Sequence, residues 1–173
     1  MDVSRFNTGN VTDMGGMFSS CEAVTSLDVS HFNTGKITNM GYMFAGCEAL
    51  TSLNISHFNT GKVTNMRWMF NNCEALIGLD VSHFNTGKVT DMEGMFAGCQ
   101  ALTKLELGSF NTEKVTEMGY MFWGCRQLET IITSKEFVTE QVKSGNHMFS
   151  GCIKLKGGQG TTQIGRASCR ERV

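Results

Sequence analysis

The stretch HFNTGKVT occupies residues 57–64 and recurs unchanged at 83–90, with HFNTGKIT at 31–38. An imidazole, an amide, two hydroxyls, a glycine and a lysine within eight residues have the make-up of an active-site loop. The spacing argues otherwise. His31, His57 and His83 lie 26 residues apart, and so do Phe6, Phe32, Phe58, Phe84 and Phe110. The interval also separates Met17, Met43, Met69, Met95 and Met121, and Cys21, Cys47, Cys73, Cys99 and Cys125. It divides the chain into coils 1–26, 27–52, 53–78, 79–104 and 105–130, and a degenerate sixth, 131–157, one residue longer, which keeps MFSGC at 148–152. A fixed period of about 20–50 residues marks a stacked repeat architecture. Residues 1–157 are therefore expected to form one solenoid, in which HFNTGKVT is a turn repeated because every coil needs one.

Each unit has two halves. In LTSLNISHF, residues 50–58, apolar side chains stand at Leu50, Leu53, Ile55 and Phe58, close to the leucine-rich-repeat pattern. The alternation predicts a short strand with Leu53 and Ile55 inward and Asn54 and Ser56 outward. Val63, Met66, Met69, Phe70 and Cys73 follow three-and-four spacing, which predicts a short helix capped by Thr64 or Asn65. Asn59 and Thr60 are suited to satisfy backbone groups of the turn between them, and Gly61 to take a positive φ. One such unit cannot bury its apolar face alone, whereas stacked units can. The expected fold is an α/β solenoid, with a parallel sheet on one side and short helices on the other. With strands about 4.8 Å apart, every repeat position becomes a ladder.

The chain has 173 residues, 40% of them hydrophobic, with Gly 20 and Pro 0. That size allows one domain with a substantial core. The absence of proline suits coils that need every N–H. A net charge of −1 leaves no overall basic footprint for nucleic acid. No stretch has the length and apolarity of a membrane span, so direct membrane insertion is not expected. Met1 fills the slot of Leu27, Leu53 and Leu79, so the start is expected to be a cut or internal start rather than a cap. Residues 158–163 are expected to begin an exit segment. Residues 164–173, IGRASCRERV, resemble a translated sequencing-adapter read-through and are expected to be non-native.

The unit LDVSHFNTGKVTDMEGMFAGCQALTKL, residues 79–105, closely resembles the 26-residue repeat of the BspA-like leucine-rich-repeat family of bacterial surface proteins. The resemblance extends from Met1 to about residue 160. It implies a right-handed leucine-rich-repeat-like solenoid, a secreted or cell-surface location, and a role in adhesion or host-surface binding. The implied partner is a protein or glycan ligand.

Several columns carry candidate chemistry. The six cysteines Cys21, Cys47, Cys73, Cys99, Cys125 and Cys152 have no CxxC spacing. They are expected to be buried thiols, with disulfides between coils where Cα atoms come within about 7 Å as the alternative. His31, His57 and His83 form a short column, expected to be polar surface beside the turn, with a metal ladder as the sharper reading. Asp2, Asp28, Asn54, Asp80 and Glu106 form an acidic column whose repulsion solvent, raised pKa values or a hard cation would relieve. Catalysis needs distinct acid and base roles, and a row of copies defines none.

Two candidate contact surfaces remain. One is the sheet face, Asp28, Asn54, Asp80, Ser30, Ser56 and Ser82; the other is a line of exposed aromatics, Tyr42, Trp68, Tyr120 and Trp123. Phe32, Phe58 and Phe84, with Asn33, Asn59 and Asn85, are expected to be structural ladders. The function so expected is a non-catalytic surface binding module without metal or cofactor. The alternatives are a ligand-free structural spacer and, least favoured, a carbohydrate-active solenoid.

Overall fold

The computed structural model describes residues 1–156, so the expected exit segment, the tail and Cys169 lie outside the described residues. Coils stack in sequence order, and one apolar core runs through them from Val3 to Leu155. Leu53, Ile55, Val63, Met66, Met69, Phe70 and Cys73 are all buried, so both halves of a unit face the core. Six phenylalanines form a continuous stack, Phe18, Phe44, Phe70, Phe96, Phe122 and Phe149, with ring centroids 5.5–5.8 Å apart.

The turn stretch works through its buried threonine. Thr34 Oγ1 accepts from the Asn59 amide at 2.7 Å and donates to the Asn59 carbonyl at 3.3 Å. Thr60 clamps Asn85 in the same way, and Thr86 clamps Asn111. Thr112 bonds the amide and carbonyl of Val138. These four hydroxyls, each satisfied twice, and that of Thr8, which accepts from the Asn33 amide at 2.7 Å, belong to the buried polar residues of the core. The Asn59 side chain accepts from the Gly61 amide at 3.1 Å, closing the loop as an Asx turn. Gly61 does not take a positive φ. Glu113 holds the same slot in coil 5, as a position without that requirement allows.

The second half of each coil is not helical. Its amides alternate between two destinations. Those of Met40, Tyr42, Phe44 and Gly46 donate to Asn65, Arg67, Met69 and Asn71 of the next coil; those of Met43, Ala45 and Cys47 close turns on Met40, Tyr42 and Phe44. Positive φ recurs every four residues, at Gly16 and Ser20, Tyr42 and Gly46, Trp68 and Asn72, Gly94 and Gly98, Tyr120 and Gly124, His147 and Gly151. A helix cannot contain such residues. Consecutive type II-like turns bring every third or fourth side chain inward, which mimics a helical face. Thr64 and Asn65 therefore cap nothing: Thr64 Oγ1 donates to Thr38 O, and Asn65 Oδ1 accepts from the Arg67 amide. Single parallel bridges at Asp13, Asn39, Asn65, Asp91, Glu117 and Ser144 run along this side.

The strand expected in every coil forms, among the described residues, in two of them. Among the described residues the named strands are β1, Lys104–Leu107, and β2, Thr130–Thr133, paired in parallel with Glu106 opposite Ile132. The acidic column explains the exception. Asp28, Asn54 and Asp80 each accept through Oδ1 from the amide two residues on, at Ser30, Ser56 and Ser82, which bends the backbone out of the ladder. Glu106 and Ile132 hold that slot in coils 5 and 6, make no such turn, and leave the strands free to pair.

All six ladder cysteines are free thiols, and all but Cys21 are buried. Each buried thiol donates across a junction: Cys47 to Phe18 O, Cys73 to Phe44 O, Cys99 to Phe70 O, Cys125 to Phe96 O and Cys152 to Phe122 O. The same phenylalanine carbonyls accept the amide of their own coil's cysteine, so both lone pairs are used. Burial pushes Cys47 up to about 11 and Cys99 up to about 12 from the ordinary thiol value of 9.0.

Two outcomes follow. Thr60→Val keeps the volume but strips both bonds from Asn85, and lowers unfolding free energy by about 1–3 kcal/mol in urea titration, with Thr60→Ser losing less. The thiols favour the protonated folded state, so their contribution is intact below pH 9.0 and falls as pH rises toward the folded values of about 11–12. Urea midpoints should decline across that window, and less steeply in Cys47→Ala/Cys99→Ala.

Candidate functional site: an aromatic strip at strained backbone positions

The slot three residues after each bridge residue projects outward at positive φ. Glycine fills it in coils 1 and 4, at Gly16 and Gly94. Coils 2, 3 and 5 hold Tyr42 at φ 60°, Trp68 at 53° and Tyr120 at 57°, and coil 6 holds His147 at 58°. Bulky residues rarely adopt this conformation, at a cost of roughly 1–2 kcal/mol each. Four of six coils accept that cost where glycine would avoid it.

The rings meet. Trp68 and Tyr120 approach to 6.1 Å between centroids at 31°, although they sit two coils apart. Gly94 in the intervening coil makes the contact: a Cβ there would lie 2.2 Å from the Trp68 ring. Tyr120 stacks on His147 at 5.2 Å. Trp68, Tyr120 and His147 thus form one strip spanning coils 3 to 6. Tyr42, 43% exposed, joins its N-terminal end through Arg67, whose Nε donates to the tyrosine hydroxyl at 3.1 Å. Trp123, 45% exposed, stands three residues along and makes no ring contact with the strip.

Arg67 ties the strip to two carboxylates, Glu93 at 3.0 Å and Asp91 at 3.9 Å. Burial lifts the Glu93 carboxyl above its usual range, Arg67 draws it back, and Asp91 and Glu117 push it up again. Planar charged groups therefore border flat apolar faces. The sequence pointed to Tyr42, Trp68, Tyr120 and Trp123 and missed Arg67, Gly94 and His147. The glycine in the aromatic slot of coil 4 was the available signal.

The sheet-face residues are arranged differently. Asp80 Oδ1 takes both the amide and the hydroxyl of Ser82, at 2.9 and 2.6 Å, and Asn54 binds Ser56 likewise. Hydrogen bonds from Ser30 and Ser82 hold Asp28 and Asp80 below the usual carboxylate range, opposite to the raised values considered from sequence. His31 Nε2 lies 2.9 Å from Val3 O, while His57 and His83 meet their neighbouring phenylalanines edge-on. Ser109 Oγ donates to Val81 O in the slot of His31, so these two residues brace adjacent coils, whereas His83 Nε2 is buried without a hydrogen-bond partner. Among the described residues, no group of three or more His, Cys, Asp or Glu has metal-holding geometry.

Gly94→Val places a side chain where the Trp68 ring lies and adds strain at φ 60°. It should shift Trp68 emission to the red and increase iodide quenching, with Trp123→Phe as the background that isolates the signal.

Among solved structures, a leucine-rich repeat protein from Bacteroides ovatus matches with TM-score 0.56 and 24% identity, over 84% of this chain and 34% of that one. This chain thus spans about a third of that protein, and the likeness is one of fold. The Treponema pallidum leucine-rich repeat protein TpLRR aligns with TM-score 0.48 and 15% identity, over 84% of this chain and 72% of that one. No curated protein matches the chain. The family model described as "Mycoplasma protein of unknown function, DUF285" matches residues 1–78 and 43–160. That match covers nearly all the repeats, so the chain belongs to this family of BspA-like leucine-rich repeats.

Proposed function

We propose that the chain is a non-catalytic recognition module of a bacterial cell-surface protein, binding a protein or glycan ligand through the strip of Tyr42, Trp68, Tyr120 and His147. The observation that carries this reading is the strain: aromatic rings occupy positive-φ positions that glycine fills elsewhere. Outliers of this kind cluster where structure serves recognition. Tyrosine, tryptophan and arginine are also the side chains that anchor interfaces. Surface location is consistent with the family, and no described helix is long and apolar enough to cross a membrane.

A catalytic role finds little support. Asp28 and Asp80 are exposed, hydrogen-bonded and held ionised, which suits neither to donate a proton to a leaving group. The contrast between the coils also disfavours a pure spacer, since a spacer gains nothing from strained aromatics.

Trp68→Gly/Tyr120→Gly is the informative variant, because glycine fits the local φ and preserves the fold. On arrays of extracellular-matrix proteins and glycans, the purified chain should show saturable binding that this variant weakens by about tenfold or more. Absence of saturable binding across such panels would return the chain to the spacer reading.

A further inference from the structure

A column of lysines runs along the turn edge. Lys36, Lys62, Lys88 and Lys114 hold one slot in coils 2 to 5, and all four are exposed. Each is the third residue of a turn closed by the next amide, as when Ile37 N–H donates to Thr34 O and Val63 N–H to Thr60 O. Their neighbours serve the fold: Thr34, Thr60, Thr86 and Thr112 clamp the next coil, and Ile37, Val63, Val89 and Val115 are buried. The lysines do not. Among the described residues none of the four is ion-paired, and the one side-chain hydrogen bond they make is Lys36 Nζ to Asn10 Oδ1 at 2.8 Å. Asn10 fills the slot in coil 1, so the turn itself needs no lysine.

Hydrogen-bonded coils lie about 4.8 Å apart, which sets four ammonium groups in single file, one per coil. Like charges placed side by side repel. The chain as a whole is slightly acidic, at net −1, so this row is not the by-product of a basic protein. A uniform positive row with no structural duty is complementary to a uniform negative one.

We propose that this row binds a linear acidic polysaccharide, a polymer carrying one anionic group per sugar ring, laid along the stacking axis. The single file decides the class. A nucleic-acid duplex offers two rows of phosphates and a membrane offers a plane, and the acidic slots Asp28, Asp80 and Glu106 of the same coils disfavour broad anionic surfaces. A uronate chain is a single strand with one charge per ring and a rise per ring close to the spacing between coils, and the long, flexible lysine side chains can follow carboxylates that wind about its axis. Each exposed lysine contributes little alone; four in register act as linked sites whose joint affinity exceeds any one contact. The row occupies other repeat slots than the aromatic strip, so the two sites are separable.

Polygalacturonate is the probe, with its neutral methyl ester, duplex DNA and anionic phosphatidylglycerol vesicles in parallel, titrated calorimetrically against the intact chain. Saturable binding to polygalacturonate is expected, weakening with salt at a log–log slope of roughly −3, and absent with the ester. Lys36→Gln/Lys62→Gln/Lys88→Gln/Lys114→Gln should lose at least about tenfold in affinity with an unchanged thermal melt, whereas Trp68→Gly/Tyr120→Gly should bind as the parent does. Failure to bind polygalacturonate, equal binding by the lysine variant, or tighter binding to DNA or vesicles overturns the proposal. Loss in the aromatic variant alone overturns it too, and assigns the polymer to the strip.

Discussion

One buried hydroxyl holds each coil to the next. The threonine of the turn lies inside the core, where an unpaired polar group costs about 1–3 kcal/mol, and in coils 2 to 4 it meets both backbone groups of the following coil's asparagine. No coil can meet that demand by itself. Stacking is therefore imposed by hydrogen bonding as well as by apolar burial. The thiol ladder repeats the logic at the other end of the unit, with sulfur as the donor and a phenylalanine carbonyl as the acceptor. Cysteine suits this slot because it packs like a small apolar residue yet still carries a donor. A disulfide there would remove donors from carbonyls that use them.

Backbone bonding between coils also sets the local structure. Alternate amides of residues 40–46 reach the next coil, which leaves only the intervening ones for turns. A helix spends all of its amides on itself and could not tie the coils together at this density. The recurrent positive φ is the geometric form of that compromise, and glycine at Gly46, Gly98, Gly124 and Gly151 supplies it without strain. Periodicity alone could not separate the two cases, because both bring Val63, Met66, Met69, Phe70 and Cys73 inward. The glycine of FAGC, read as conformational rather than small, was the distinguishing mark.

The period, the coil boundaries and the core face were legible in the sequence, since each follows from side-chain polarity repeated in register. Secondary structure was less so. Whether the Leu53 half forms a strand depends on one side chain per coil: Asp28, Asn54 and Asp80 capture an amide and bend the chain, while Glu106 and Ile132 do not. Alternation of apolar and polar residues is the same in both cases. The aromatic strip was half legible. Tyr42, Trp68 and Tyr120 could be placed outward by their slot, but the meeting of Trp68 with Tyr120 depends on Gly94 between them.

A near-perfect repeat tolerates variation only where stacking makes no demand. In each coil the demanding slots are those of the threonine, cysteine, phenylalanine and methionine, and all of them point inward or bond across a junction. The outward positive-φ slot is different: it is filled by glycine, tyrosine, tryptophan or histidine. The fold would be best served there by glycine throughout. Departure from that optimum in coils 2, 3, 5 and 6 places rings where they touch one another and solvent rather than the core. The lysine slot departs in the opposite sense, by staying constant through coils 2 to 5 where the fold asks for nothing. Variation under strain and constancy without structural need are the two features of this chain that stacking does not account for, and both lie on its surface.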